Sequence, residues 1–280
     1  MRNDLWSKWK YLKGVLILII MSRIRFGPTG IGPVSDAVAN LEMYHKLGFR
    51  AAEVLFTYGV YIKEREDAVR IGRVAKKLGI YLSIHAPYWI NLNSKEEKKV
   101  EMSKARILKC CEVASWLGAK RVVFHPGFYS GMKSEEVVEK IVLEIKEMME
   151  VVRKEKWDVE LCPEVMGKKN VFGSIDEVGE LVRETGCGVC IDFAHVLARY
   201  GSYEFDKVLK NFGSLKKWHV HFSGIEYREK GEKKHLVTPR REWEKLLGFL
   251  KKVDKDVVVI CESPDAVGDS IVGMKIVSSL

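Results

Sequence analysis

The 280-residue chain contains no glutamine, seven prolines and six cysteines, and no apolar run long enough to cross a bilayer. Six cysteines over this length are too few for a disulfide framework, so free buried thiols and a reducing, cytoplasmic setting are expected. Cys187 and Cys190 lie in a strand pattern, where residues three apart face opposite sides, so their sulfurs should not converge on a metal or redox centre. The apolar stretch from Val15 to Met21 is too short to span a membrane, and Ser22-Arg23-Ile24-Arg25 follows it instead of a small-residue cleavage pattern. Residues 1–20 therefore read as an extension to a fold occupying 21–280, with a targeting segment as the lesser alternative. Absent glutamine beside abundant Lys and Glu is the compositional direction of heat-adapted proteins with surface ion-pair networks.

What is present describes a large folded unit. Hydrophobic residues make up 47% and charged residues 30%, which excludes a disordered chain, and a net charge of +9 permits a polyanionic partner without requiring one. From Arg23 onward, short β-type runs alternate with amphipathic helical stretches, the pattern of βαβ units on a parallel sheet. Strands are expected at 23–26, 51–56, 80–85, 121–125, 159–164, 188–192, 218–222 and 257–262. Helices are expected near 35–47, 64–78, 95–117, 134–155, 175–185, 203–211, 240–252 and 267–277. Ser94 to Glu97 and Ser174 to Glu177 have the form of capping boxes, and Pro239 suits a first helical position. Gly48, Gly79, Gly118 and Gly186 each stand where a left-handed residue would close a helix before a strand. Eight such units in about 250 residues match a single (β/α)8 TIM barrel of the α/β class. An open doubly wound sheet is the runner-up, weakened because no Gly-x-Gly-x-x-Gly follows the first strand.

The chemistry-bearing residues gather at one end. His85, His125, His195, His219, His221 and His235 lie at strand C-termini or in the loops that follow, as do Glu164, Asp192 and Glu262. In a parallel barrel that end carries the active site. Alternation sharpens the placement: Leu82 and Ile84 face outward and His85 inward, and Trp218, Val220 and Phe222 leave His219 and His221 inward. Crowding these carboxylates without compensation is costly, and no basic residue recurs at the strand ends, so divalent cations are expected among them. A mixed His/Asp/Glu set suits zinc, with manganese an alternative.

These residues resemble the endonuclease IV family of abasic-site nucleases, within the xylose-isomerase-like barrel superfamily. The resemblance covers residues 23–265. It is carried by His85-Ala-Pro-Tyr-Trp-Ile-Asn91, Phe124-His-Pro-Gly127, Pro163-Glu164, Ile191-Asp-Phe-Ala-His195, His219, His235 and Cys261-Glu-Ser-Pro264. It implies two or three zinc ions. His85, His125 and Glu164 would hold one, and Glu164 would bridge to a second held by Asp192, His219 and Glu262. His195 and His235 would belong to a third. There the family has an aspartate where this chain has Lys233, with Glu232 one position off. His221 is a replacement candidate beside His219. The resemblance further implies a monomer that incises DNA 5′ to an abasic site, with Glu164 or Glu262 orienting the nucleophile. Tyr88 and Asn91 match its DNA-facing loop, while Lys233, Lys234, Arg240 and Arg241 form a basic stretch suited to phosphates. Two other readings stand beside it: a single-metal sugar isomerase or epimerase, for which His85 and His125 are superfluous as ligands, and a noncatalytic DNA-binding barrel.

Overall fold

A computed structural model describes residues 23–279, so the expectation for residues 1–20 lies outside the described residues. The strands are β1 (Ile24–Pro28), β2 (Ala51–Leu55), β3 (Tyr81–His85), β4 (Arg121–Phe124), β5 (Glu160–Pro163), β6 (Cys190–Asp192), β7 (Lys217–Phe222), β8 (Gly224–Arg228), β9 (Gly231–Leu236) and β10 (Asp256–Cys261). The helices are α1 (Ala37–Lys46), α2 (Arg65–Lys77), α3 (Glu97–Leu117), α4 (Ser134–Lys154), α5 (Ile175–Thr185), α6 (Phe193–Tyr200), α7 (Phe205–Phe212), α8 (Arg240–Leu250) and α9 (Ala266–Ser279).

Parallel pairing runs β1-β10-β7-β6 on one side and β2-β3-β4-β5 on the other. Single parallel bridges, Thr29 to Glu53 and Glu164 to Cys190, join the two arcs into a closed eight-stranded barrel. Each strand alternates as its sequence requires. Outward residues such as Leu82, Ile84, Trp218 and Val220 pack beneath the helices in the main core. Inward positions are filled by two small apolar clusters, Ala51 with Val258 and Ile260, and Val123 with Cys162 and Cys190. Cys187 belongs to the outer core and Cys190 to the interior, so the pair faces opposite sides as expected.

The punctuation is partly as read. Gly118 and Gly186 close α3 and α5 in the left-handed region, at φ 69° and 72°, where a Cβ would be strained. Ser174 caps α5 reciprocally with Glu177. Ser94, by contrast, accepts from the Glu96 backbone and turns the chain two residues before Glu96, the N-cap of α3. Pro239 stands at the N-cap of α8 and not inside it. Two elements had no counterpart in the expected set: the short α6 and the antiparallel β8–β9 hairpin. On the surface, Lys104 of α3 meets Glu101, Glu144 and Glu147 at 2.7, 2.9 and 2.6 Å, knitting α3 to α4 by an ion-pair network. No helix among the described residues is long and apolar enough to cross a membrane.

Candidate metal centre

Parallel closure brings the C-terminal strand ends to one rim. His85 ends β3, His125 and Glu164 follow β4 and β5, Asp192 ends β6, His221 lies near the end of β7 and Glu262 follows β10. Four sets of donors have ligand atoms within 4.8 Å of one another; three form at the rim, His85/His125/Glu164, Glu164/Asp192/His221/Glu262 and His195/Glu232/His235, and the fourth, Cys190/His219/His221, is buried beneath it. Glu164 is the hub of the rim. Its Oε2 lies 3.3 Å from His85 Nε2 and 3.2 Å from His125 Nε2, and its Oε1 lies 3.2 Å from His195 Nδ1 and 3.5 Å from His221 Nδ1. The His221 Nδ1 is also 3.4 Å from Glu262 Oε1, and His195 Nε2 is 3.4 Å from Glu232 Oε2.

Local structure explains the placements. Asp192 is the N-cap of α6 and accepts from the His195 backbone at 2.7 Å, which sets His195 one turn along on the same side. The hairpin carries Glu232 and His235 on β9 back over the rim. Gly167 lets it close: a Cβ there would stand 2.8 Å from Glu232 Cβ and 3.0 Å from His195 Cδ2. Arg199, buried, donates to the carbonyls of Lys168 and Val171 at 2.7 and 3.0 Å and so fixes the loop bearing Gly167.

The outer nitrogens of these imidazoles are also engaged. His85 Nδ1 lies 2.7 Å from the Ala86 carbonyl and His195 Nδ1 3.1 Å from the Val165 carbonyl. His235 Nδ1 lies 2.7 Å from Ser223 Oγ, whose own proton goes to the Gly224 carbonyl. A carbonyl only accepts, so His85 keeps a proton on Nδ1 and Nε2 is the atom that would face a cation, the arrangement of a metal-binding histidine.

The donor set also passes a test of fit to divalent cations. Glu164 Oε1, Asp192 Oδ2 and His221 Nδ1 are buried atoms with no hydrogen bond, an unusual condition in a protein interior. The charged partners of Glu164, Asp192, Glu232 and Glu262 among the described residues are all imidazoles. Burial opposes charge on Glu164, but the surrounding histidines outweigh it and hold its carboxyl well below the usual range. Burial likewise opposes charge on His85, yet the Glu164 carboxylate raises it to about 9. Burial pushes Asp192 up, with Glu164 and Glu262 adding to the effect. Without cations the histidines must carry the compensating protons, which cations would displace. A cavity of about 360 Å³ opens over the sets, lined by His85, Tyr88, His125, His195, Glu232, His235 and Glu262.

Residues 41–276 match the model of the xylose isomerase-like TIM barrel family. The chain belongs to that family. An uncharacterized protein of Methanocaldococcus jannaschii is 37% identical over 91% of this chain and 97% of its own length. An apurinic-apyrimidinic endonuclease of Caenorhabditis elegans is 32% identical, but the match spans 48% of this chain and 36% of that protein. Among solved structures, a D-tagatose 3-epimerase-like protein superposes with TM-score 0.70 at 19% identity, covering 91% of this chain and 96% of its own. Endonuclease IV from Thermus thermophilus superposes with TM-score 0.66 at 20% identity, covering 91% and 98%. At these identities the superpositions speak for the family fold alone.

Within this family barrel, one expected ligand is displaced. His219 does not join Asp192 and Glu262; His221 does. His219 sits one alternation deeper, fully buried, with Nε2 3.0 Å from Glu53 Oε2, and burial pushes its pKa down to about 4. In the third set Glu232 stands beside His195 and His235, while Lys233 points away to Glu226 at 2.6 Å. Tyr88 lines the cavity and stacks on His125, with ring centroids 5.3 Å apart. Asn91 is used structurally: its Oδ1 accepts from the backbone of Asn93 and Phe128. Lys234 and Arg240 are exposed and pair with Glu226 and Glu244. Sequence reasoning missed Lys168 at the cavity wall and Glu53 beneath it; the signal for Glu53 was a lone acid in the apolar strand Ala51–Leu55.

Proposed function

We propose that this protein is a metal-dependent endonuclease that hydrolyses the phosphodiester bond 5′ to abasic sites in DNA, leaving a 3′-hydroxyl. The observation that carries this reading is the convergence of three donor sets on one cavity, with His85 and His125 added to the Glu164/Asp192/His221/Glu262 set. Two or three zinc or manganese ions held there would lower the pKa of a water, neutralise the phosphate and stabilise the leaving oxygen. The protein's own residues divide the remaining work. Glu262 and Glu232 both line the cavity with side chains 15% exposed, and Glu262, which shares its donor set with Glu164, orients the attacking water and takes its proton. Glu164, 1% exposed and surrounded by imidazoles, holds the sets together. The half-exposed ring of Tyr88 packs against the lesion, and Lys168, Lys233, Lys234 and Arg240 lie on the faces where phosphates would pass.

A second reading is a sugar isomerase or epimerase. It is favoured by the completeness of the Glu164/Asp192/His221/Glu262 set, which alone can hold one ion beside two carboxylates suited to proton transfer. Elemental analysis, coupled to incision of a duplex with one abasic site before and after chelation, separates the two. Two or three ions per chain with chelator-sensitive cutting 5′ to the lesion is the expected result. One ion, no incision and turnover of a ketohexose would replace the nuclease reading by the epimerase one.

A further inference from the structure

Beneath the rim lies a carboxylate that none of the donor sets uses. Glu53 projects inward from the middle of β2 and is fully buried. Its Oε2 accepts from Ser83 Oγ at 2.7 Å and from His219 Nε2 at 3.0 Å. Its Oε1 makes no hydrogen bond and faces His221 Nε2 at 2.9 Å. That contact is close but off the ideal hydrogen-bond line, so its pull on the ring is chiefly electrostatic.

We propose that Glu53 is a positioning residue that fixes the tautomer and ring orientation of His221 for the metal centre. The inference rests on reading the rim as a metal centre and is independent of the substrate. An ionised carboxylate only accepts, so the His221 nitrogen facing it carries the proton. A bound cation would then displace the proton of Nδ1, the atom facing Glu262 and Glu164, and take its lone pair. His85, His195 and His235 have a backbone carbonyl or a hydroxyl as outer partner; His221 has a full negative charge, which strengthens it as a donor. Ser83 and His219 hold the carboxylate in place from β3 and β7. His219 thus acts at one remove, through Glu53.

The test compares wild type with Glu53→Gln and Ser83→Ala. In zinc-loaded, 15N-labelled protein, the ring shifts of His221 should report a proton on Nε2 and none on Nδ1 in wild type, and a smaller share of that form in Glu53→Gln. Competition with a chromophoric chelator should show one ion bound about 10- to 100-fold more weakly in Glu53→Gln, with the His85/His125/Glu164 ion retained. Ser83→Ala should give a smaller loss in the same direction, and it replaces Glu53→Gln if that variant fails to fold. A wild-type proton on Nδ1, or unchanged metal affinity in the folded variants, overturns the proposal. So does a thiolate charge-transfer band in the cobalt(II)-loaded protein, which would mean that Cys190, His219 and His221 hold an ion themselves. Neither nuclease nor epimerase activity enters these readouts, so failure here is distinguishable from failure of the substrate reading.

Discussion

The two mouths of the barrel both carry buried charge, and they balance it with different chemistry. At the N-terminal mouth the Arg121 guanidinium, 5% exposed, meets Glu160 at 2.9 Å, and the adjoining cavity of about 670 Å³ mixes Arg25, Lys120, Asp158 and Asp256. At the C-terminal mouth the cavity is smaller, about 360 Å³, and among the described residues the charged partners of its carboxylates are all imidazoles. A guanidinium is a permanent countercharge, whereas an imidazolium can give up its proton. The mouth with revocable compensation is the one that can exchange protons for divalent cations, and cavity size alone would have selected the other.

The contrast between the mouths should collapse most severely at Glu164, because that side chain touches two donor sets at once. Glu164→Gln should lower incision by about a thousandfold or more, since metal assistance is worth several kcal/mol and each 1.4 kcal/mol is about tenfold. It should also remove most of the rise in Tm expected of wild type on loading with metal, because a ligand stabilises only the state it binds. Incision near the wild-type rate, or an unchanged rise in Tm, would remove Glu164 from the metal centre.

Glu160→Ala tests the opposite mouth. Losing that partner leaves the Arg121 guanidinium buried with its charge less well compensated, which should cost about 2 kcal/mol. A lower urea midpoint with unchanged metal content and incision is expected. A change in metal content would show that the two mouths are coupled.

Much of this contrast was legible in the residues. Leu82, Ile84, Trp218 and Val220 have to face the helices, and that requirement turns His85, His219 and His221 inward without knowledge of any contact. Alternation leaves depth undecided, since His219 and His221 share a face. Their levels are set by the register in which His221 pairs with Asp192 and Ile260, and His219 with Cys190 and Val258. The hairpin was hidden for a different reason. Its exposed strands, rich in Lys and Glu, bury little and therefore lack an apolar period, so the position of Glu232 beside His195 could not be read. Glu53 escaped because a single buried acid in a strand carries no spacing signal.

The smallest effect concerns a buried carboxylate that is already satisfied. Glu177 accepts from Ser134, from the Tyr129 hydroxyl at 2.9 Å and from the backbone of Gly173 and Ser174 at 3.1 and 2.7 Å. Burial opposes its charge, but these donors outweigh it and lower its pKa from 4.5. The folded state therefore prefers the ionised form, so the stabilisation is present above the ordinary carboxylate pKa and is lost as pH falls through the lowered value. Glu177→Gln should cost about 1 kcal/mol near neutrality, and the difference from wild type should close as urea midpoints are followed down through pH 4 and below. Added metal should leave that difference unchanged, because a carboxylate with its lone pairs filled offers a cation nothing to coordinate. A metal-dependent gap would mean that Glu177 belongs with Glu164 and not with the scaffold.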